Sequence, residues 1–264
     1  MSSGVELAAA RLCATRQQGV ALDRLPPGLE PRDEDGAYAI QDALHQCLAA
    51  SDGWGAVVGY KIGCTTLVMQ RYLQIPNPCA GAIYASTVQH VHGSFAHANF
   101  VRVGVECEIA VVLAEDLGAD RTTVDRPTAA RAVGGCMAAI EIVDDRYVNY
   151  TALGAPTLIA DDFFGAGCVL GAPVGDFDPG QLAGAVASMR IDGRHVGSGL
   201  GTDILGEPLD ALVWLANNLA QRGRHLRRGE FVLLGSLVQT QWVVAGQSVV
   251  IENDRLGTAQ ADFV

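Results

Sequence analysis

Val103-Gly-Val-Glu-Cys-Glu-Ile-Ala-Val-Val-Leu113 is the stretch on which the reading of this chain turns. It is β-forming and apolar except at Glu106 and Glu108. Side chains alternate along a strand, so the two glutamates share one face. Like charges side by side in an apolar strand are unfavourable unless something compensates them. Either that face is solvated, as on an edge strand, or it meets a hard cation. A second apolar segment, Ala138-Ala-Ile-Glu-Ile-Val-Asp-Asp-Arg-Tyr147, holds Glu141 between core-like neighbours, and Asp144 and Asp145 follow at its end. Three glutamates on strands, without histidine or clustered cysteine, form an oxygen-only donor set. That set favours Mg²⁺, Mn²⁺ or Ca²⁺ over zinc. A third segment, Val58-Gly-Tyr-Lys-Ile-Gly-Cys-Thr-Thr66, places Lys61 in an apolar, glycine-flanked strand. Such a lysine snorkels, pairs with a carboxylate, or, when desolvated, acquires a lowered pKa and serves as a base.

Outward from these segments the chain divides by texture. Residues 1–54 read as a helical part, with Asp33 or Asp35 capping a helix that carries Ala37, Ile40, Leu44 and Leu48 on one face. Residues 55–264 read as a mainly β domain, rich in glycine, with short apolar runs between turns. Strands are expected at Val57–Ile62, Val103–Leu113, Ala139–Val143, Gly167–Leu170, Ser188–Ile191, Phe231–Leu234 and Val238–Val244. Asp192-Gly193 marks a hairpin turn. Helices are expected from about Pro127 and over Glu207–Arg222, the latter stopped by Gly223. Gly197–Thr202 reads as a flexible turn or active-site loop, and His90 and His92 as loop histidines before the Glu-x-Glu strand.

The composition narrows the function class. Of 264 residues, 49% are hydrophobic and 18% charged, enough to bury a sizeable core. A net charge of −11 disfavours nucleic acid or an anionic membrane as partner, since both want a basic surface. An acidic protein still binds an acidic small molecule if a cation supplies the local positive charge. No apolar run approaches the ~18 residues that cross a bilayer. The N-terminus lacks the basic start and apolar centre of a signal peptide, so the expected location is the cytoplasm. Seven scattered cysteines without a C-x-x-C pair read as reduced thiols packed as small hydrophobes.

Taken together, Gly59-Tyr60-Lys61-Ile62-Gly63, Val105-Glu106-Cys107-Glu108, Ile140-Glu141-Ile142-Val143-Asp144, Ile159-Ala160-Asp161, Val169-Leu170-Gly171 and Gly229-Glu230…Gly235-Ser236 resemble the fumarylacetoacetate hydrolase superfamily. The resemblance is to its 2-keto-4-pentenoate hydratase/4-oxalocrotonate decarboxylase branch. It implies an α+β fold, a mixed β-sandwich or β-roll core with a helical N-terminal part. It implies Mg²⁺ or Mn²⁺ on Glu106, Glu108 and Glu141, a catalytic Lys61, and a small-molecule 2-oxo acid substrate. Asp161, Phe164, Ser236 and Cys79 would border that substrate, in a homo-oligomer. The implied activity is hydration of a 2-hydroxy-2,4-dienoate such as the enol of 2-oxopent-4-enoate, in aromatic catabolism. The alternatives are a 4-oxalocrotonate-type decarboxylase, an acylpyruvate C–C hydrolase, or a non-catalytic metal-binding oligomer. The hydrolase would need a His–Glu pair, and residues 66–100 contain histidines but no glutamate. The chain departs from the resembled hydratases at Cys79, at Asp162-Phe163-Phe164, where they read Asn-Ala-Ser, and at the bulky run Leu237–Trp242. Two phenylalanines there predict an apolar tail on a monocarboxylic substrate, with Arg102 and Arg146 left as possible partners for a second carboxylate.

Overall fold

The computed structural model describes residues 3–120 and 122–264. Two helices open the chain, α1 (Gly4–Gln18) and α2 (Glu34–Ala49); Met1 and Ser2 lie outside the described residues. Ser3 caps α1 through a reciprocal capping box with Glu6, and Asp33 caps α2 by accepting the Gly36 N–H. Ala37, Ile40, Leu44 and Leu48 are buried along one side of α2, as their spacing predicts. Cys13 and Cys47 form a disulfide between the two helices. This corrects the expectation that all the cysteines are reduced: packing α1 against α2 brings two residues 34 apart in sequence side by side, which spacing alone does not reveal.

The remaining elements, in chain order, begin with β1 (Val57–Gly63), α3 (Leu67–Leu73), β2 (Cys79–Tyr84), β3 (Val88–His90), β4 (His92–Phe95) and β5 (Val103–Leu113). Then come α4 (Arg126–Ala132), β6 (Val133–Asp144), α5 (Ala155–Ala160), β7 (Gly165–Leu170), β8 (Val186–Ile191) and β9 (Arg194–Leu200). The chain closes with α6 (Pro208–Gln221), β10 (Phe231–Ser236), β11 (Gln241–Trp242), β12 (Ser248–Asn253) and β13 (Gly257–Phe263). One mixed sheet has the order β2-β1-β10-β5-β6-β7-β3, with β11 also on β5; the other has the order β4-β13-β12-β8-β9. Asp192 and Gly193 both adopt positive φ in the tight turn between β8 and β9, the conformation a two-residue hairpin needs.

Strand alternation organises the large sheet. Val103, Val105, Cys107, Ile109 and Val111 of β5, with Cys136, Ala138, Ile140 and Ile142 of β6, enter the main core together with Val249, Ile251 and Phe263 of the second sheet. The intervening residues face the other way. Ala110 of β5, Met137 and Ala139 of β6, and Phe231 and Leu233 of β10 form a smaller apolar cluster there. Glu106, Glu108 and Glu141 fall in this second set by parity. The glutamate face is therefore not the solvated face of an edge strand, because β5 lies in mid-sheet between β10 and β6.

Several local expectations change. Val238–Val244 is not one strand: only Gln241–Trp242 pairs with β5. The ladder shifts register between Leu233 and Ser236, and residues 237–240 bulge away from the sheet. Gly197–Leu200 belongs to β9 rather than to a flexible loop, because it pairs with β8; a Cβ at Gly199 would lie 2.1 Å from the Leu237 carbonyl oxygen, which accounts for the glycine there. His90 and His92 sit in β3 and β4, and His92 Nε2 is 2.6 Å from Asp262. The short strands β2, β3, β4, β12 and β13 went unassigned in the sequence. Gly257-Thr-Ala-Gln-Ala-Asp-Phe263 has little β propensity and is held by pairing to β12 and β4. No described helix is long and apolar enough to cross a membrane.

A buried ion cluster fastens the helices to the β domain. Arg16 of α1 donates to the Asp161 carboxylate and carbonyl at 2.6 Å each and lies 3.1 Å from Asp162. His45 of α2 is 2.6 Å from Asp162, which also accepts the Ala82 N–H of β2. Arg146 and Tyr147 complete the shell around Asp161. Burial alone would raise the Asp162 carboxyl, but His45 and Arg16 outweigh it and hold it well below the usual range. A depressed carboxylate stabilises the fold above its unfolded value of 3.8, and that contribution is lost as pH falls below it. Arg16→Ala is expected to cost about 3–5 kcal/mol, since it removes the cation shared by two buried carboxylates and leaves Asp161 to Arg146 and Tyr147, and Asp162 to His45. Urea unfolding at pH 7 and pH 3.5 checks both points: the wild-type midpoint falls with acid, and the penalty of the variant shrinks because its Asp162, without Arg16, protonates at higher pH than in the wild type.

Candidate metal centre and active site

Register brings the carboxylates together. Glu106 of β5 pairs directly with Glu141 of β6, and Glu108 lies opposite Ser236 of β10. One oxygen from each of Glu106, Glu108 and Glu141 falls within a 4.8 Å cluster. Glu108 and Glu141 are buried, and Glu106 is half-buried. Each has its own support. Glu106 accepts from the Thr240 hydroxyl in the bulge between β10 and β11. Glu108 Oε2 accepts the Gly235 N–H at 2.6 Å. Glu141 Oε1 is 2.9 Å from the Lys61 ammonium. Gly235 sits at φ 143°, and a Cβ there would lie 2.4 Å from Thr65 Oγ1, so only glycine brings this N–H to Glu108.

Three carboxylates face one ammonium, so the pocket is electrostatically incomplete. Burial, then repulsion from Glu141 and Glu106, pushes the Glu108 carboxyl well above its ordinary value. Burial raises Glu141 to about 7, although Lys61 beside it pulls the other way. Burial works against the charged form of Lys61, but attraction to Glu141 and Glu106 prevails and its pKa rises. Of the roles open to this lysine in the sequence, the geometry shows the pairing with a carboxylate, Glu141. Glu108 Oε1 is buried and has no hydrogen-bond partner. A buried carboxylate oxygen left bare between two other carboxylates fits a divalent cation. The acidic triad can therefore hold a divalent metal on oxygen ligands alone.

Glu106 and Lys61 open onto a cavity of about 1050 Å³. Among the other expected site residues, Phe164 and Ser236 line it. Asp161 does not; its carboxylate is consumed by Arg16, Arg146 and Tyr147 in the ion cluster. Cys79 is fully buried opposite Gly63 on the β1–β2 ladder, behind the cavity wall. Arg146 is likewise taken up by Asp161 and the carbonyls of Phe164 and Gly165. Arg102 stacks on Trp242 at 4.1 Å and pairs with Asp145. Lys61 is thus the sole cationic side chain lining the cavity among the described residues. Gly235, which the sequence singles out together with Ser236, supports Glu108 through its N–H and is not itself in the cavity lining. Thr240 and Tyr150 were not singled out in the sequence. No pattern marks Thr240, because only the departure of residues 237–240 from the ladder points its hydroxyl at Glu106.

A family model described as fumarylacetoacetate (FAA) hydrolase C-terminal matches residues 75–264. The chain belongs to this family. Its similar relatives include the TodF product hydratase of Pseudomonas putida strain F1, 34% identical over 99% of this chain and 96% of the relative. A 2-keto-4-pentenoate hydratase of Paraburkholderia phymatum is also 34% identical, over 98% of this chain and 97% of the relative. A 2-hydroxyhexa-2,4-dienoate hydratase of Comamonas testosteroni is 31% identical over 87% of this chain and 86% of the relative. The 4-oxalocrotonate decarboxylase from Pseudomonas putida G7, complexed with magnesium and adipate, shares the fold with a TM-score of 0.89 at 22% identity. That alignment covers 98% of this chain and 97% of the other.

Glu108→Gln keeps the shape and the Gly235 contact of this side chain but removes its charge. It is expected to abolish tight Mg²⁺ or Mn²⁺ binding while the circular dichroism spectrum is retained. Calorimetry showing wild-type affinity in the variant would take Glu108 out of the metal centre.

Proposed function

We propose that the protein is a divalent-metal-dependent hydratase, a carbon–oxygen lyase. It converts a 2-hydroxy-2,4-dienoate such as the enol of 2-oxopent-4-enoate into a 4-hydroxy-2-oxo acid, using Mg²⁺ or Mn²⁺. The observation that carries this reading is a cluster of three carboxylates with one unpartnered buried oxygen, set beside one buried ammonium and opening through Glu106 and Lys61 onto a mostly apolar cavity. The hydratase names of relatives matched over nearly the whole chain support it. Glu106, Glu108 and Glu141 would hold the ion, which when bound supplies Lewis acidity toward a 2-oxo acid head.

The residues of the chain supply the rest. Lys61, paired with Glu141 beside the cavity, would donate a proton from Nζ to C5 of the dienol as the 2-hydroxyl proton leaves. The resulting 2-oxo-3-enoate is conjugated, and water adds at C4 while C3 gains a proton. The Phe163 ring lies 5.2 Å from Nζ, centroid to nitrogen, in a cation–π contact. The bulge holding Thr240 fixes Glu106 at the cavity edge. The reading also takes the protein to be a cytoplasmic homo-oligomer without nucleic-acid or membrane partners, in line with its net charge of −11.

A diacid decarboxylase would need a second cation for the distal carboxylate, and the cavity lining carries only Lys61. Lys61→Ala is expected to lower kcat/KM for 2-hydroxypenta-2,4-dienoate with Mg²⁺ by about a hundredfold or more, the range of a proton-transfer group. Wild-type turnover would reduce Lys61 to a packing residue. In competition assays 2-oxopentanoate is expected to inhibit more tightly than 2-oxoadipate. The reverse order would favour the decarboxylase.

A further inference from the structure

The cavity is far larger than the reaction just described requires. Its volume of about 1050 Å³ sits at the upper end of the roughly 300–1,000 Å³ typical of pockets for drug-sized ligands. A five-carbon acid anchored at Glu106 and Lys61 would leave most of that space to water. The wall beyond the head-group position is apolar: Val143, Tyr150, Phe163, Phe164, Leu205 and Val238 line it. Three of its polar neighbours are already engaged. Thr240 donates to Glu106, Ser236 donates to the Val238 carbonyl, and Asp203 accepts the Leu200 N–H.

The aromatic part of this wall is held rigid. Phe164 makes edge contacts with Tyr147, Tyr150 and Phe163 at centroid distances of 5.3–5.5 Å. Asp162, Phe163 and Phe164 all adopt left-handed φ, at 54°, 47° and 66°. Such backbone costs about 1–2 kcal/mol per residue, so the surroundings must hold it. The ion cluster does so, with Arg16 on the Asp161 carbonyl and Arg146 on the carbonyls of Phe164 and Gly165. On the outer side Leu67, Val68 and Tyr72 of α3 line the same cavity, and Tyr72 is 57% exposed.

We propose that this wall is a specificity element for 2-oxo acids whose apolar tail extends well beyond five carbons, with Phe164 and Tyr150 as its base and α3 as its cover. The proposal rests on the hydratase reading, which supplies the anchored 2-oxo acid head. A tail lying along the wall removes both surfaces from water, and each added methylene that is fully covered is worth about a threefold to fourfold gain in affinity.

Calorimetric titration of the Mg²⁺-loaded protein with 2-oxobutanoate, 2-oxopentanoate, 2-oxohexanoate, 2-oxooctanoate and 2-oxo-6-phenylhexanoate tests it. Affinity is expected to rise at least tenfold from 2-oxopentanoate to 2-oxooctanoate. In Phe164→Ala, and in Tyr72→Asp, whose exposed side chain spares the fold, the gain is expected to fall below about threefold. A flat series in the wild type, or an undiminished gain in both variants, would overturn the specificity element and leave the hydratase reading standing. Failure of every 2-oxo acid to bind would instead bring down the hydratase reading, and this proposal with it.

Discussion

The carboxylates of Glu106, Glu108 and Glu141, gathered around one ammonium, are the constraint on which the site depends. Burying like charges is unfavourable, and the protein tolerates it here because each carboxylate is held by a different part of the fold. Glu108 leans on a backbone N–H at a glycine, Glu106 on a hydroxyl in a bulge, and Glu141 on Lys61. The buried Glu108 Oε1 is left without a hydrogen-bond partner, and a divalent cation would complete it. The large sheet is built to keep these positions fixed, with β5 and β6 paired along nearly their whole lengths.

The bulge after β10 converts a closed ladder into an open site. β10 pairs with the second half of β5 and β11 with its first half. Between them residues 237–240 leave the sheet beside Glu106, and all four line the cavity. That interruption turns the Thr240 hydroxyl onto Glu106 and places residues 237–240 in the cavity wall. Gly199 on β9 lets the bulge lie close against the second sheet, so the opening has a firm backing.

Much of this was legible in the sequence because it depends on parity and local chemistry. Val103–Leu113 is apolar at every odd position, so the shared face of Glu106 and Glu108 follows directly, and the strand has those bounds in the structure. Asp33 as a helix cap and Asp192-Gly193 as a hairpin follow from equally local rules. What was hidden depends on long-range contact. Asp161 looks like a substrate ligand in a linear reading, yet Arg16, 145 residues away, claims it. Thr240 is an ordinary polar residue until the register shift turns it toward Glu106. The Cys13–Cys47 bond and the weak strand Gly257–Phe263 likewise exist only through partners distant in the chain.

The two halves of the site stand on different foundations. The carboxylates and Lys61 are carried by the central strands, whereas the aromatic turn is tethered from behind to the N-terminal helices through Arg16, His45 and Arg146. A lineage that duplicates such a gene can therefore redesign the turn and its helical moorings without disturbing the strands that carry the chemistry. Selection acting on substrate range would leave its marks in α1, α2 and the segment after α5. The sheet would change slowly, and the reaction would persist while the molecules it consumes diversify.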